Sequence, residues 1–358
     1  MNEMERTTIL LTGAGAPGMP GILRCLKAAN DKRLRLVGVD MNPFAACRAE
    51  FEAFYTVPAA SQESFVEQLL DICEKESVAL IIPCVTRELK KLAQCKLQFE
   101  QKGIKIAVME RERLDIVNDK GKLLTWMKEN GLPVPDFYLV ENWEQMERAA
   151  YAVGWPEKAF CAKAVQGNGS RAIRVIETAE ALAKDFFERK PDGMVISYED
   201  LKTILLARQP WPYTMMAMEF LPGTEYAVDI LADRGEILAS VCRKASLVVS
   251  SNQMQCIVED HEQVQSLCAQ VVKKLELSGN IGFDLKEDAL GSPQVMEINP
   301  RFTGGIVACC AAGVNLPYLG IQYWLGEKVS CQLPQQRVRM IRRLEEIFLD
   351  ENDKRIYI

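Results

Sequence analysis

A single histidine, His261, and twelve cysteines without one Cys-x-x-Cys pair leave little from which to build a thiolate and imidazole zinc site. There is no excess of positive charge either: 43 basic against 49 acidic residues give a net charge of −6, so no general field draws in nucleic acid or an anionic membrane. The apolar run at 9–11 is too short for a signal segment or a membrane span. These absences lead to a cytoplasmic expectation, in which unpatterned cysteines stay reduced and mostly buried. Internal repeats and low-complexity segments are also missing, which sets aside solenoids and arrays.

What is present is an ordinary globular composition, 48% hydrophobic and 26% charged, on a chain of 358 residues that exceeds one typical domain. Residues 7–12, 35–39, 54–57, 80–83 and 104–108 read as short strands, with helical patterns at 64–75 and 87–102. That alternation predicts a Rossmann-like parallel sheet covered by helices on both faces. The rhythm then changes. Residues 113–130 read as one helix with Asp119 and Lys120 inside it, stopping at Gly131, Leu132 and Pro133. Strand candidates follow at 159–164 and 171–176 around a glycine turn, and at 226–232 and 237–242 about Asp233, Arg234 and Gly235. A helix at 261–275, strands at 279–286 and 293–298, and a glycine-containing helix start at Thr303 complete an α+β half with antiparallel pairing. The expected divisions are 1–112, then 113–330 with lobes at about 133–220 and 221–330, then an uninformative charged tail at 331–358.

Gly13, Gly15 and Gly18 follow the first strand as a literal GxGxxG, and Asp40 closes the next strand where a ribose-binding acid would stand. Taken alone, this predicts a dinucleotide enzyme. Pro17 counts against it, because it removes one amide donor from the turn. The competing reading is a tight strand-to-helix turn, with Asp40 holding the loop at Asn42 and Pro43.

The stronger constellation lies downstream. Glu297 and Asn299 sit two apart at the end of a strand, so they share a face, and Arg301 follows just beyond. Asp284, on the preceding strand, joins that face if the two strands pair. Two carboxylates and an amide offer oxygens that suit magnesium, and an adjacent guanidinium suits a transferring phosphoryl group. Lys163 ends an apolar strand before the turn containing Gly167, Gly169 and Ser170, which can close over phosphates; Lys120 is a second candidate cation. Glu219, Phe220 and Leu221 precede a Pro-Gly turn and then Glu225, a hinge able to offer backbone to an adenine edge and an acid to ribose hydroxyls.

In this order the motifs resemble the ATP-grasp superfamily, specifically one synthetase unit of the carbamoyl-phosphate synthase large subunit, over roughly 5–330. The resemblance implies a pre-ATP-grasp domain followed by a two-lobed ATP-grasp domain. By it, Lys120 and Lys163 look like phosphate-contacting lysines, Glu219 and Leu221 like the adenine hinge, and Glu225 like the ribose acid. Asp284, Glu297 and Asn299 look like metal ligands, Arg301 meets the phosphoryl or acyl group, and Arg243 or Lys244 reaches substrate. Thr303, Gly304 and Gly305 are expected to offer amides to a substrate carboxylate. The implied reaction uses ATP with magnesium, or manganese, to activate a carboxylate as an acyl phosphate that an amine captures. One unit without a second copy makes carbamoyl-phosphate synthesis a poor fit and a stand-alone ligase, as a homodimer, a better one. The rival expectations are an ATP-binding protein without turnover and an NAD-linked oxidoreductase.

Overall fold

The computed structural model describes residues 6–167, 171–188, 193–249, 252–343, 345–351 and 355–356. Among these, β1 (Thr7–Thr12), β2 (Leu34–Asp40), β3 (Ala53–Thr56), β4 (Val78–Ile82) and β5 (Lys105–Ile106) form a parallel sheet in the order β3-β2-β1-β4-β5. Helices α1 (Met19–Ala28), α2 (Phe65–Lys75) and α3 (Thr86–Glu100) connect the strands. Period-two alternation assigns the faces: Leu10 packs with Phe65, Leu69, Leu89 and Phe99, whereas Ile9 and Leu11 pack with Met19, Ile22 and Leu23. The order reverses between β1 and β4, so the turns after these two strands meet at a switch point.

The single helix expected at 113–130 is instead two, α4 (Arg111–Val117) and α5 (Lys120–Glu129). The break has a local cause. Asp119 is extended (φ −128°, ψ 112°) and its carboxylate accepts the amide of Lys122 at 3.0 Å, which makes it the N-cap of α5. The amide of Lys120 donates instead to the carbonyl of Val165 at 3.0 Å, which ties the helix start to the small lobe.

That lobe is a sheet of β6 (Phe137–Val140), β7 (Phe160–Ala164), β8 (Ile173–Ile176), β9 (Val195–Ile196) and β10 (Met215–Glu219), in the order β6-β10-β7-β8-β9. One face buries Phe160, Ala162, Met215 and Ala217 with residues of α6 (Trp143–Ala152) and α8 (Tyr198–Ala207); α7 (Ala179–Glu188) lies between β8 and β9 in sequence. The other face carries Cys161, Met216 and Met218 and joins the main core.

The third sheet holds β11 (Glu225–Asp233), β12 (Glu236–Val249), β13 (Asn252–Val258), β14 (Gly279–Glu287), β15 (Pro293–Asn299) and β16 (Arg339–Ile341), in the order β15-β14-β11-β12-β13-β16. Arg234 and Gly235, both at positive φ, form the tight turn of the β11-β12 hairpin. Helix α9 (Glu262–Lys274) covers one face; α10 (Val307–Ala311) and α11 (Leu316–Leu325) pack toward the first sheet. The helix expected from Thr303 thus starts later, after a turn. The tail read as uninformative supplies β16, which pairs with β13 from Gln255 to Ile257, and a further short pair, β17 (Phe348–Leu349) with β18 (Arg355–Ile356). Three alternating residues are too few for periodicity to announce a strand.

Loss of the α5 cap is measurable. Asp119→Ala should lower stability by about 1 kcal/mol, with the urea midpoint falling and the slope unchanged; an unaltered midpoint would show that the cap contributes nothing.

Candidate functional site

The third sheet is unusual in that one of its buried faces is charged. Asp284 lies opposite Glu297 on one side and Ala227 on the other, and Ala227 lies opposite Arg243. In the adjoining row Asn299, Gly282 and Asp229 are in register, and Glu225 faces Lys286 one step away. Alternation therefore puts Glu225, Asp229, Arg243, Asp284, Glu297 and Asn299 on one face, while Val228, Phe283, Leu285 and Cys242 line the other with α9.

The amide nitrogen of Asn299 donates to Asp284 Oδ2 at 2.9 Å and to Glu297 Oε1 at 3.3 Å, so the positive end of a dipole stands between the two carboxylates. Burial, with Glu297 and Glu225 as like charges, pushes Asp284 up to about 8. Burial pushes Glu297 up too, but Lys120, Lys163 and Asn299 together hold it below the usual carboxylate range. Lys120 Nζ reaches Glu297 Oε2 at 2.7 Å and the carbonyl of Gly167 at 3.0 Å. Lys163 is 2% exposed on β7, and burial, with Lys120 as a like charge, depresses it to about 8. Two lysines from the small lobe and α5 thus converge on an acidic pair of the large sheet. Among the described residues no cluster of three or more His, Cys, Asp or Glu side chains is arranged as a metal cage. Two in-register carboxylates supply oxygen donors that fit a magnesium ion completed by phosphate oxygens and water, while Asn299 turns its amide nitrogen toward them and its oxygen toward Arg301.

Arg301 leaves the end of β15 and bridges domains: Nε donates to Thr86 Oγ1 at 2.8 Å, Nη2 to Asn299 Oδ1 at 2.9 Å and Nη1 to the carbonyl of Phe302 at 2.8 Å. Thr86 opens α3 at the switch point of the first sheet. At the hinge, Leu221 is buried, Lys286 Nζ sits 5.0 Å from the centre of the Phe220 ring, and Glu219 Oε1 accepts the amide of Asp136 at 3.0 Å. Burial raises Glu225. Glu287, absent from the expected set, shapes the turn by accepting the amide of Thr224 at 3.1 Å and the hydroxyl of Tyr226 at 3.0 Å. Gly167 is described; Gly169 and Ser170 lie outside the described residues.

Arg243, expected to reach substrate, is held within the protein. It is 1% exposed and locked: Nε and Nη2 donate to Asp229 Oδ2 at 2.9 and 2.7 Å, Nη2 also to Thr303 Oγ1 at 3.0 Å, and Nη1 to Gln253 Oε1 at 2.6 Å. Burial opposes its charge, yet Asp229 raises it. A Cβ on Gly305 would lie 1.9 Å from Arg243 Nη1, so only glycine admits the guanidinium there. The guanidinium is a structural anchor for the turn at Thr303. Its partner Asp229 was overlooked in the sequence, although an acid inside the apolar run 226–232 is the signal of a buried charge pair.

The glycine turn is occupied by its own chain. Gly15 N donates to Asp40 Oδ2 at 2.8 Å, Asn42 N to Asp40 Oδ1 at 2.8 Å, Ala14 N to the carbonyl of Val39 at 3.1 Å and Ala16 N to that of Gly13 at 2.8 Å. Asp40 therefore holds the loop, as the second reading had it.

With this geometry in view, residues 212–347 match the family model described as ATP-grasp in the biosynthetic pathway with Ter operon, and residues 9–107 match the PylC-like N-terminal domain. The chain carries an ATP-grasp domain. Among curated relatives, this chain is 22% identical over 247 residues to a carbamoyl phosphate synthase large chain of Pseudothermotoga lettingae, covering 65% of this chain and 20% of that one. It is 23% identical over 193 residues to a formate-dependent phosphoribosylglycinamide formyltransferase of Wolinella succinogenes, covering 54% and 47%. It spans, then, about a fifth and about half of the lengths of these relatives. Among solved folds, N5-carboxyaminoimidazole synthetase from Staphylococcus aureus complexed with ADP superimposes with a TM-score of 0.70 at 15% identity, covering 96% of this chain and 84% of that one. An L-amino acid ligase from Bacillus licheniformis gives 0.67 at 13% identity, covering 96% and 82%.

At the switch point Glu88 accepts from Thr12 Oγ1, and burial raises its carboxyl to about 7. Its folded pKa thus exceeds the unfolded value, so its stabilising effect is present below about pH 4.5 and is lost as pH rises through about 7. Glu88→Gln should abolish that decline, worth at most about 3 kcal/mol, in urea titrations run between pH 5 and 8; an unchanged slope with pH would refute the assignment.

Proposed function

We propose that the chain is an ATP- and magnesium-dependent ligase that activates a carboxylate and joins it to an amine, forming ADP, with an amino acid or similar small molecule as substrate. The observation that carries this reading is the register of Asp284 against Glu297 on a buried face, approached by Lys120 and Lys163. The ATP-grasp match and the likeness to ligase folds support it. When bound, magnesium-ATP supplies a phosphoryl group whose transfer to a carboxylate leaves an acyl phosphate open to attack by an amine.

Asp284, Glu297 and Asn299 would hold the metal, and the metal's charge would replace the Asn299 dipole that now separates the carboxylates. Lys120 and Lys163 offset phosphate charge from the opposite side, and their low exposure strengthens that attraction. Lys120, now on Glu297, would exchange one anionic partner for another. Glu219, Phe220 and Leu221 would border the adenine and Glu225 the ribose of a bound nucleotide. Arg301 would meet the activated carboxylate, and its bond to Thr86 holds it toward the switch point of the first sheet.

Calorimetric titration with magnesium and a non-hydrolysable ATP analogue tests the reading. We expect magnesium-dependent binding that weakens at least ~30-fold, about 2 kcal/mol, in the Glu297→Ala, Asn299→Ala double variant. Tight NAD binding in place of ATP binding would overturn it. Release of ADP that depends on an added amino acid then separates a ligase from a protein that binds ATP without turnover.

A further inference from the structure

The junction between the first domain and the turn after Arg301 carries a feature that the nucleotide reading leaves unused. Helices α1 and α10 approach each other in register. A Cβ on Gly18 would lie 3.1 Å from Gly304 Cα, and one on Gly21 would lie 3.2 Å from Val307 Cβ. One helical turn further along each helix stand Cys25 and Cys310. Asn315 Nδ2 donates to the carbonyl of Cys25 at 2.7 Å, which holds that end of α1 against the chain leaving α10. Cys25 is fully buried and Cys310 partly buried, so Cys310 is the more accessible thiol of the two.

We propose that Cys25 and Cys310 form a reversible disulfide on exposure to a peroxide, stapling the first domain to the turn at Thr303, Gly304 and Gly305. The chemistry balances with hydrogen peroxide as oxidant. The Cys310 sulfur attacks one peroxide oxygen, the O–O bond breaks, and a sulfenic acid and one water result. The Cys25 sulfur then displaces the hydroxyl from Cys310, forming the S–S bond and a second water. Two thiols are oxidised and one peroxide is reduced, with the thiol protons ending in water.

The hydrogen bond from Cys25 favours this order of events, because it raises Cys25 and lowers Cys310 to about 7, which makes the accessible sulfur the better nucleophile. Cys309, next in sequence, is turned away: its Sγ donates to Asp229 Oδ2 at 3.4 Å within the Arg243 anchor. Cys331 is an exposed free thiol and a competitor for the oxidant.

The full chain treated with hydrogen peroxide and then alkylated should lose about 2 Da before alkylation. A non-reducing peptide map should yield one cross-linked species joining the Cys25 and Cys310 peptides, restored by dithiothreitol. In Cys25→Ser, a dimedone adduct should accumulate on Cys310, and Cys331→Ser should leave the cross-link intact. Free alkylation of Cys25 and Cys310 after peroxide, a cross-link to Cys309, or direct passage of Cys310 to the sulfinic acid would each overturn the proposal. The map of the unmodified sequence decides it even if Cys25→Ser does not fold, and none of these readouts depends on ATP binding.

Discussion

A sheet face that is both buried and charged constrains everything placed around it. Charges taken out of water persist only when paired, hydrogen-bonded or given a counter-ion. On this face Asp229 neutralises Arg243 and Lys120 neutralises Glu297, while Asp284 is left between two carboxylates with only an amide to separate it from one of them. The imbalance follows from pleating alone. The same alternation that gives α9 a hydrocarbon face of Val228, Phe283 and Leu285 delivers charged and amide groups to the opposite face. Such an arrangement leaves a surplus of buried negative charge, which positive charge brought to the face would relieve.

The Arg243–Asp229 pair shows how such charges become architecture. Once the guanidinium is sealed at 1% exposure, removing either partner strands a charge, so the pair is fixed and so is what it holds. It holds Thr303 through Nη2 and Asp229 Oδ1, and it leaves room at position 305 for glycine alone. The turn that follows Arg301 is therefore set from inside the large sheet. The same turn meets the first domain at Gly18, which places Arg301 between the acidic face and the switch-point crevice.

The sequence made the elements that rest on strong local patterns legible: the parallel alternation of the first hundred residues, the β11-β12 hairpin with its Arg-Gly turn, and the pairing of 279–286 with 293–298. Asp284, Glu297 and Asn299 could be grouped because strand periodicity is short-range and two-valued. Three kinds of information stayed hidden. The break at Asp119 could not be seen because 113–130 keeps helical periodicity across it; a capping carboxylate and a distant carbonyl, Val165 O, decide the matter. The burial of Arg243 was hidden because it depends on Asp229, fourteen residues earlier on another strand. Residues 339–341 were dismissed because their partner strand supplies the reason they are extended.

The glycine turn gives the same lesson from the other side, since the pattern is genuine and its usual explanation is not required. Gly13 adopts φ +66° and faces Val85, where a Cβ would lie 2.4 Å from Cγ2; Gly18 lets the turn touch Gly304. Both glycines thus answer to packing between elements distant in sequence, and Asp40 answers to the amides of Gly15 and Asn42. A pyrophosphate site requires amides that are free and convergent. Here the amides of 14, 15 and 16 are already bonded within the chain and Pro17 has none, so the turn serves the junction with the ATP-grasp domain. Tight strand-to-helix turns impose the same glycine spacing whether a phosphate or another segment of protein lies against them, and what separates the two cases is where the amide hydrogens go.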